Sequence, residues 1–204
     1  MQRLLPVSPG DWRLLEHHSE ALHLAGVRQL LVREPQMEER DLVALLNRLS
    51  QRFSLIVHAR NASGEELARG GGHGLHLPGV ADVAAVRARF DGLLGFSAHS
   101  DEDVLYAEGA GADYVTLSPI YRPTSKPEDD REPLGAGFAS AVQRSVRVKV
   151  FALGGVTPQR FATLRTGGVY GAAVLGSLFM APDIGATARA YLSAAPGRQM
   201  TLLG

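Results

Sequence analysis

The chain contains no cysteine. That excludes disulfides, thiolate metal sites and cysteine nucleophiles. It has no excess charge of either sign, with 21 Lys+Arg against 21 Asp+Glu, so neither nucleic acid nor an acidic membrane surface is an expected partner. It has no apolar run long enough to span a membrane. The opening MQRLLPVSPGDW has too short an apolar stretch for a signal peptide, and a soluble cytoplasmic protein is the expectation. The 204 residues suit one domain, 1–204, with a loose tail over 196–204.

What is present is a regular alternation. Short apolar runs at 4–7, 29–33, 55–58, 74–77, 93–97, 114–117, 148–153 and 171–175 are separated by helix-length segments. Such runs are too continuous for a solvated face and read as buried parallel strands joined by crossover helices. The pattern predicts a single-domain (β/α)8 TIM barrel, with a doubly wound open sheet as runner-up. The last two units are the most informative, VKVFALGGVTPQRF and GAAVLGSLF. Gly154-Gly155 ends the seventh strand, and Thr157-Pro158 supplies a capping hydroxyl and a first-turn proline. Leu175, Gly176 and Ser177 form the turn after the eighth, with a single turn of helix. Two successive strand ends with free backbone N–H groups suit a phosphate, and barrels commonly place one there.

Barrel active sites lie at the carboxyl ends of the strands. There the chain offers Arg33 and Glu34, His58 and Arg60, Ser97 and His99, Ser118, and Thr124-Ser125-Lys126 on a long loop. Two hydroxyls and an ammonium beyond a strand end suit an anion. The acidic run Glu128-Asp129-Asp130-Arg131-Glu132 reads as a solvated tip rather than a metal site. His76, inside a strand, reads as a satisfied, partly buried histidine; His17, His18 and His23 read as surface residues of the first helix.

LLVRE, GLHL, GFSAHS, GADYVTLSPIYRPTSKP, FALGGVTPQRF and VLGSLF occur in this order. Together they resemble the thiamine phosphate synthase/thiazole tautomerase superfamily over about residues 29–181. The resemblance implies a β/α barrel and a thiamine-biosynthesis enzyme that binds a thiazole phosphate. In the synthase that thiazole displaces pyrophosphate from an aminopyrimidine carried as its pyrophosphate ester. For the thiazole-phosphate half it implies ligand contacts at Gly155, Leu175, Gly176, Ser125, Lys126 and Ser97. The other half departs from the pattern. Leu31 and Pro35 replace a glutamine and a lysine, His58-Ala59 replaces Asn-Asp, and Ala81 falls where a second metal aspartate belongs, with Asp82 one position off.

No metal site is therefore expected, and Mg²⁺ enters only under the synthase reading, with Glu34 or Asp82 as ligands. Arg33, Arg60 and Lys126 are the candidate pyrophosphate partners. The tautomerase branch moves protons without metal and places a histidine after the sixth strand, where this chain has Pro119. His58 and His99 are then the candidate bases, His58 being the more distinctive and His99 common to both branches. The reading favoured at this point is a thiazole tautomerase-like isomerase. The alternatives are a divergent thiamine phosphate synthase and a non-catalytic regulatory protein that binds a phosphorylated ligand. The expected partner is a phosphorylated thiazole, and a homo-oligomer is compatible with the sequence.

Overall fold

The computed structural model describes residues 1–59, 70–122 and 131–194. Eight parallel strands make one sheet: β1 (Leu4–Pro6), β2 (Gln29–Val32), β3 (Ser54–His58), β4 (Gly74–Leu77), β5 (Leu93–Ala98), β6 (Tyr114–Leu117), β7 (Lys149–Ala152) and β8 (Gly171–Val174). The helices among the described residues are α1 (Trp12–Leu24), α2 (Glu39–Leu49), α3 (Val83–Arg87), α4 (Asp101–Gly109), α5 (Gly135–Ser145), α6 (Pro158–Thr166), α7 (Gly176–Phe179) and α8 (Ile184–Ser193). The strand order is β1-β8-β7-β6-β5-β4-β3-β2. Neighbours follow chain order with no switch point, so the doubly wound alternative is excluded and a (β/α)8 barrel is the fold. Residues 60–69, between β3 and β4, and the expected loose tail lie outside the described residues.

The barrel closes between β1 and β2, where backbone pairing thins to a single bridge, Val7 to Leu31. Side chains complete the seam. At its lower end the Gln29 amide donates to the carbonyls of Gln2 and Leu4 (2.8 and 3.3 Å) and accepts from the Gln2 N–H (3.2 Å). At the mouth the Ser8 N–H donates to the Leu31 carbonyl, 2.9 Å away. The Ser8 hydroxyl in turn accepts from the Arg33 N–H at 2.7 Å. These groups stand in for missing ladder bonds, each with a net worth of about 0.5–1.5 kcal/mol.

Helices form the outer ring because their apolar residues recur on one face. In α2, Leu42, Leu45, Leu46 and Leu49 are all buried, the i, i+3, i+4, i+7 spacing of a core-facing stripe. Asp11, Asp82, Ser100, Thr157 and Asp183 cap their helices with side-chain oxygens. Helix α3 begins only at Val83, because Asp82 caps it and Ala81 still belongs to a turn closed on Pro78. His18 and His23 are half-buried, edge-on to Phe53 in the case of His23 and tilted against Phe179 in that of His18, rather than lying wholly on the surface. No helix among the described residues is long and apolar enough to cross a membrane.

The barrel interior is filled separately by Leu5, Val7, Leu31, Ile56, Tyr114, Phe151 and Ala173. Its volume is matched strand by strand. A Cβ on Gly95 would lie 2.1 Å from Cζ of Tyr114, and one on Gly171 would lie 2.5 Å from the Phe151 ring. The two large interior rings therefore need a glycine on the adjacent strand. Gly95→Ala is expected to destabilise the fold by about 1–3 kcal/mol through overpacking. A lowered urea midpoint with an unchanged m-value would report it; an unchanged midpoint would show that Tyr114 is free to move.

Candidate active site

The carboxyl ends of the strands surround a cavity of about 390 Å³. From the expected set it brings together Arg33, His58, Ser97, His99, Ser118, Gly154, Gly155, Leu175, Gly176 and Ser177. Two cations that sequence reasoning missed also line it, Arg131 and Arg160. Arg160 sits in the first turn of α6, immediately after the glycine turn. Its guanidinium donates to the Gly155 carbonyl at 2.6 Å and lies 4.5 Å over the Tyr121 ring. The legible signal was its place three residues after a strand-end cap, which points a first-turn side chain at the mouth. Arg131 belongs to the acidic run that, from the sequence, reads as a solvated tip. Arg60, Ser125, Lys126 and the carboxylates at 128–130 lie outside the described residues.

Glu34 is not part of the lining. It is buried beside Ser8 and Gly10, whose hydroxyl and N–H favour its charged form, but burial outweighs them and raises its carboxyl above the usual range. Among the described residues the cavity lining has no carboxylate, and no group of three His, Cys, Asp or Glu residues could hold a metal ion. The Asp82 carboxylate is committed to capping α3, where it accepts from the Ala85 N–H at 3.0 Å. The described donor set therefore does not fit a hard divalent cation such as Mg²⁺, which needs convergent oxygen ligands.

The end of the cavity expected to suit an anion is built from turns. No hydrogen bond among the described residues is made by the N–H groups of Gly155, Gly176 or Ser177. Gly154 and Gly155 have φ of +92° and +59°, a region that favours glycine. Their lack of side chains also serves packing. A Cβ at Gly155 would lie 2.5 Å from the Arg122 carbonyl, and one at Gly154 would lie 3.0 Å from Pro119. The glycine pair thus lets the loop after β6 lie directly on the turn after β7. Behind the turns, Tyr191 of α8 donates to the Val156 carbonyl at 2.6 Å and meets the Ser177 hydroxyl at 2.7 Å. One hydroxyl pair thereby ties the two strand-end turns together, and burial pushes the Tyr191 phenol up to about 12.

Three imidazoles occupy the opposite side. His58, at the end of β3, is 7% exposed, and its ring centroid is 5.7 Å from that of His76. His99 is exposed, and its Nδ1 lies 2.8 Å from the Ser118 carbonyl. Nη1 of Arg131 lies 3.0 Å from the same nitrogen. His76 is more deeply enclosed than expected. Its Nδ1 lies 2.9 Å from the Tyr114 hydroxyl and its Nε2 lies 2.9 Å from the Ser97 hydroxyl. Burial first, then the neighbouring His58, pull its pKa down to about 3, so His76 is neutral at any physiological pH.

A native pKa below the unfolded value of about 6.5 means that the unfolded chain binds the extra proton between the two. His76 therefore contributes stability that is fully present above about pH 6.5 and is lost as pH falls toward 3. Unfolding free energy should rise with pH in that window by up to about 1.4 kcal/mol per unit from this group. Glu34, raised by burial, works in the opposite sense at lower pH, so the check is a difference. Between about pH 5 and 7, wild type should show the steeper slope and His76→Gln the shallower one; equal slopes would refute the assignment.

The chain matches the family model for thiamine monophosphate synthase over residues 4–178. A protein of Aquifex aeolicus provisionally named thiamine-phosphate synthase 2 is 34% identical over 160 residues, covering 76% of this chain and 84% of that one. A provisionally named thiamine-phosphate synthase of Geobacter sulfurreducens is 31% identical over 179 residues, covering 85% and 83%. Among solved structures, a thiamine phosphate pyrophosphorylase from Pyrococcus furiosus superposes with a TM-score of 0.79 over 95% of both chains, at 21% identity. That last likeness supports the fold.

Proposed function

From the premise that this chain belongs to the thiamine monophosphate synthase family, we propose that it is a transferase that joins a phosphorylated thiazole to an aminopyrimidine carried as its pyrophosphate ester. The thiazole ring nitrogen attacks the pyrimidine methylene carbon, a C–N bond forms, and the C–O bond to pyrophosphate breaks. Pyrophosphate leaves with the electron pair. The observation that carries this reading is the cavity itself: Arg33, Arg131 and Arg160 line it, the described part of its lining has no carboxylate, and strand-end N–H groups border it.

Such a cavity favours two anionic groups at once. The Gly155 and Gly176-Ser177 turns suit the thiazole phosphate, each N–H bond to a charged oxygen being worth about 1.5–3 kcal/mol. The guanidiniums suit the pyrophosphate, whose charge rises as the bond breaks and whose oxygens match their forked donors. Positioning two bound reactants removes the entropy of their encounter, so this chemistry asks little further of the protein. No step is assigned to a metal, because the described residues do not offer its ligands.

A second reading, a thiazole tautomerase-like isomerase, is favoured by one observation. His58 and His99 both line the cavity, and proton transfer needs an imidazole within reach of the substrate and no metal. The position after β6 is the buried Pro119, which has no proton to move.

Mass-spectrometric product analysis separates the two. With thiazole phosphate and the pyrimidine pyrophosphate, thiamine phosphate and pyrophosphate should appear in equal amounts. If the enzyme only converts the non-aromatic thiazole tautomer to the aromatic one, the isomerase reading replaces the transferase reading. His58→Asn keeps size and hydrogen bonding but removes the base. Under the transferase reading it should change turnover less than about tenfold, whereas a fall of about 10²–10⁴ with unchanged ligand affinity is the isomerase outcome.

A further inference from the structure

We propose that Tyr114 and His76 act as positioning residues that fix the Ser97 hydroxyl as a hydrogen-bond donor toward a phosphoryl oxygen in the cavity. The three side chains are placed by register. His76 on β4, Gly95 on β5 and Tyr114 on β6 are paired across three adjacent strands. Because Gly95 has no side chain, the Tyr114 ring crosses over β5 and its hydroxyl reaches Nδ1 of His76, 2.9 Å away. Nε2 of His76 then faces the Ser97 hydroxyl at 2.9 Å and the Thr116 hydroxyl at 3.4 Å.

Proton accounting fixes the direction. A neutral imidazole has one N–H and one bare nitrogen. Tyr114 is fully buried, and among the described residues its hydroxyl has no hydrogen-bond partner besides His76. If Nδ1 carried the proton, it would donate to the phenol oxygen and leave the phenol proton buried without an acceptor, which is costly. The satisfied arrangement has the phenol donating to Nδ1, the imidazole carrying its proton on Nε2, and Nε2–H donating to Ser97. His76 is held neutral by its burial, so this arrangement persists over the working range of pH. Ser97 then receives a proton and retains its own. No acceptor for that proton exists among the described residues, and Ser97 is half-buried in the cavity wall. A bound anion takes it.

That the anion is a phosphoryl group rests on the proposed function; the donor direction does not. Thiazole phosphate and pyrophosphate both offer such oxygens, and separate titrations distinguish the two sources.

Two measurements test the proposal. Long-range ¹H–¹⁵N spectra of the wild-type protein report which His76 nitrogen carries the proton. The expected result is the Nε2–H form, and in Tyr114→Phe a shift toward Nδ1–H or a mixture of forms; Nδ1–H in the wild type overturns the proposal. Calorimetric titration with inorganic pyrophosphate and with inorganic phosphate gives the second readout. Ser97→Ala should weaken at least one of them about tenfold. Tyr114→Phe should weaken the same one similarly, and the double variant should be no worse than either, as for groups that act as a unit. Full affinity for both anions in Ser97→Ala or in Tyr114→Phe overturns it. A negative product assay with these results intact would remove the transferase reading and leave the relay standing.

Discussion

The interior of an eight-stranded barrel holds a fixed volume, and the rest of this molecule depends on how that volume is filled. Two rings, Tyr114 and Phe151, meet edge to face with centroids 5.6 Å apart. Each lies against a glycine of the next strand, Gly95 and Gly171. This alternation of large and small side chains lets eight short strands close without strain. It also has a chemical consequence. The Tyr114 ring that fills the barrel carries a hydroxyl, a buried hydroxyl needs a partner, and the partner is His76 directly beneath the mouth. Packing and site chemistry therefore share the same atoms.

Much of the architecture was legible in the sequence because a parallel barrel writes its strands as continuous apolar runs. All eight were located within a residue or two, and the glycine turns after β7 and β8 border the cavity. Elements whose meaning depends on a neighbour two strands away were not legible. Gly95 looks like any strand glycine until Tyr114 is placed beside it. The Gln2–Gln29 seam joins residues 27 apart, and no periodicity signals an amide that replaces a ladder bond. Arg160 was passed over because a first-turn arginine after a proline reads as an ordinary exposed helix residue. Glu34 was read as facing the ligand because it ends a strand. Strand alternation gives the reason for the difference: Arg33 points into the mouth, so its neighbour must turn away toward Ser8 and Gly10.

The family resemblance was recognisable at the level of motif order, and the comparisons establish membership. The finer activity was harder to read, because the sequence keeps one half of a binding pattern and replaces the other. Loss of the aligned carboxylates at Ala59 and Ala81 argued for an isomerase. The structure adds a counterweight that single positions could not reveal. Arg131 and Arg160 come from segments far apart in sequence, yet both border the same cavity as Arg33. Guanidiniums do not replace a metal ion atom for atom, but they neutralise the same leaving-group charge, and their planar donors match phosphoryl oxygens.

The arrangement of charge bears on the choice of chemistry. A carboxylate-lined mouth would repel phosphate, whereas a guanidinium-lined mouth attracts it. Displacement of pyrophosphate develops negative charge on the leaving group and requires no imidazole base. The field of Arg33, Arg131 and Arg160, which line the cavity, assists such a displacement, and on that physical ground the transferase reading is the stronger for this cavity.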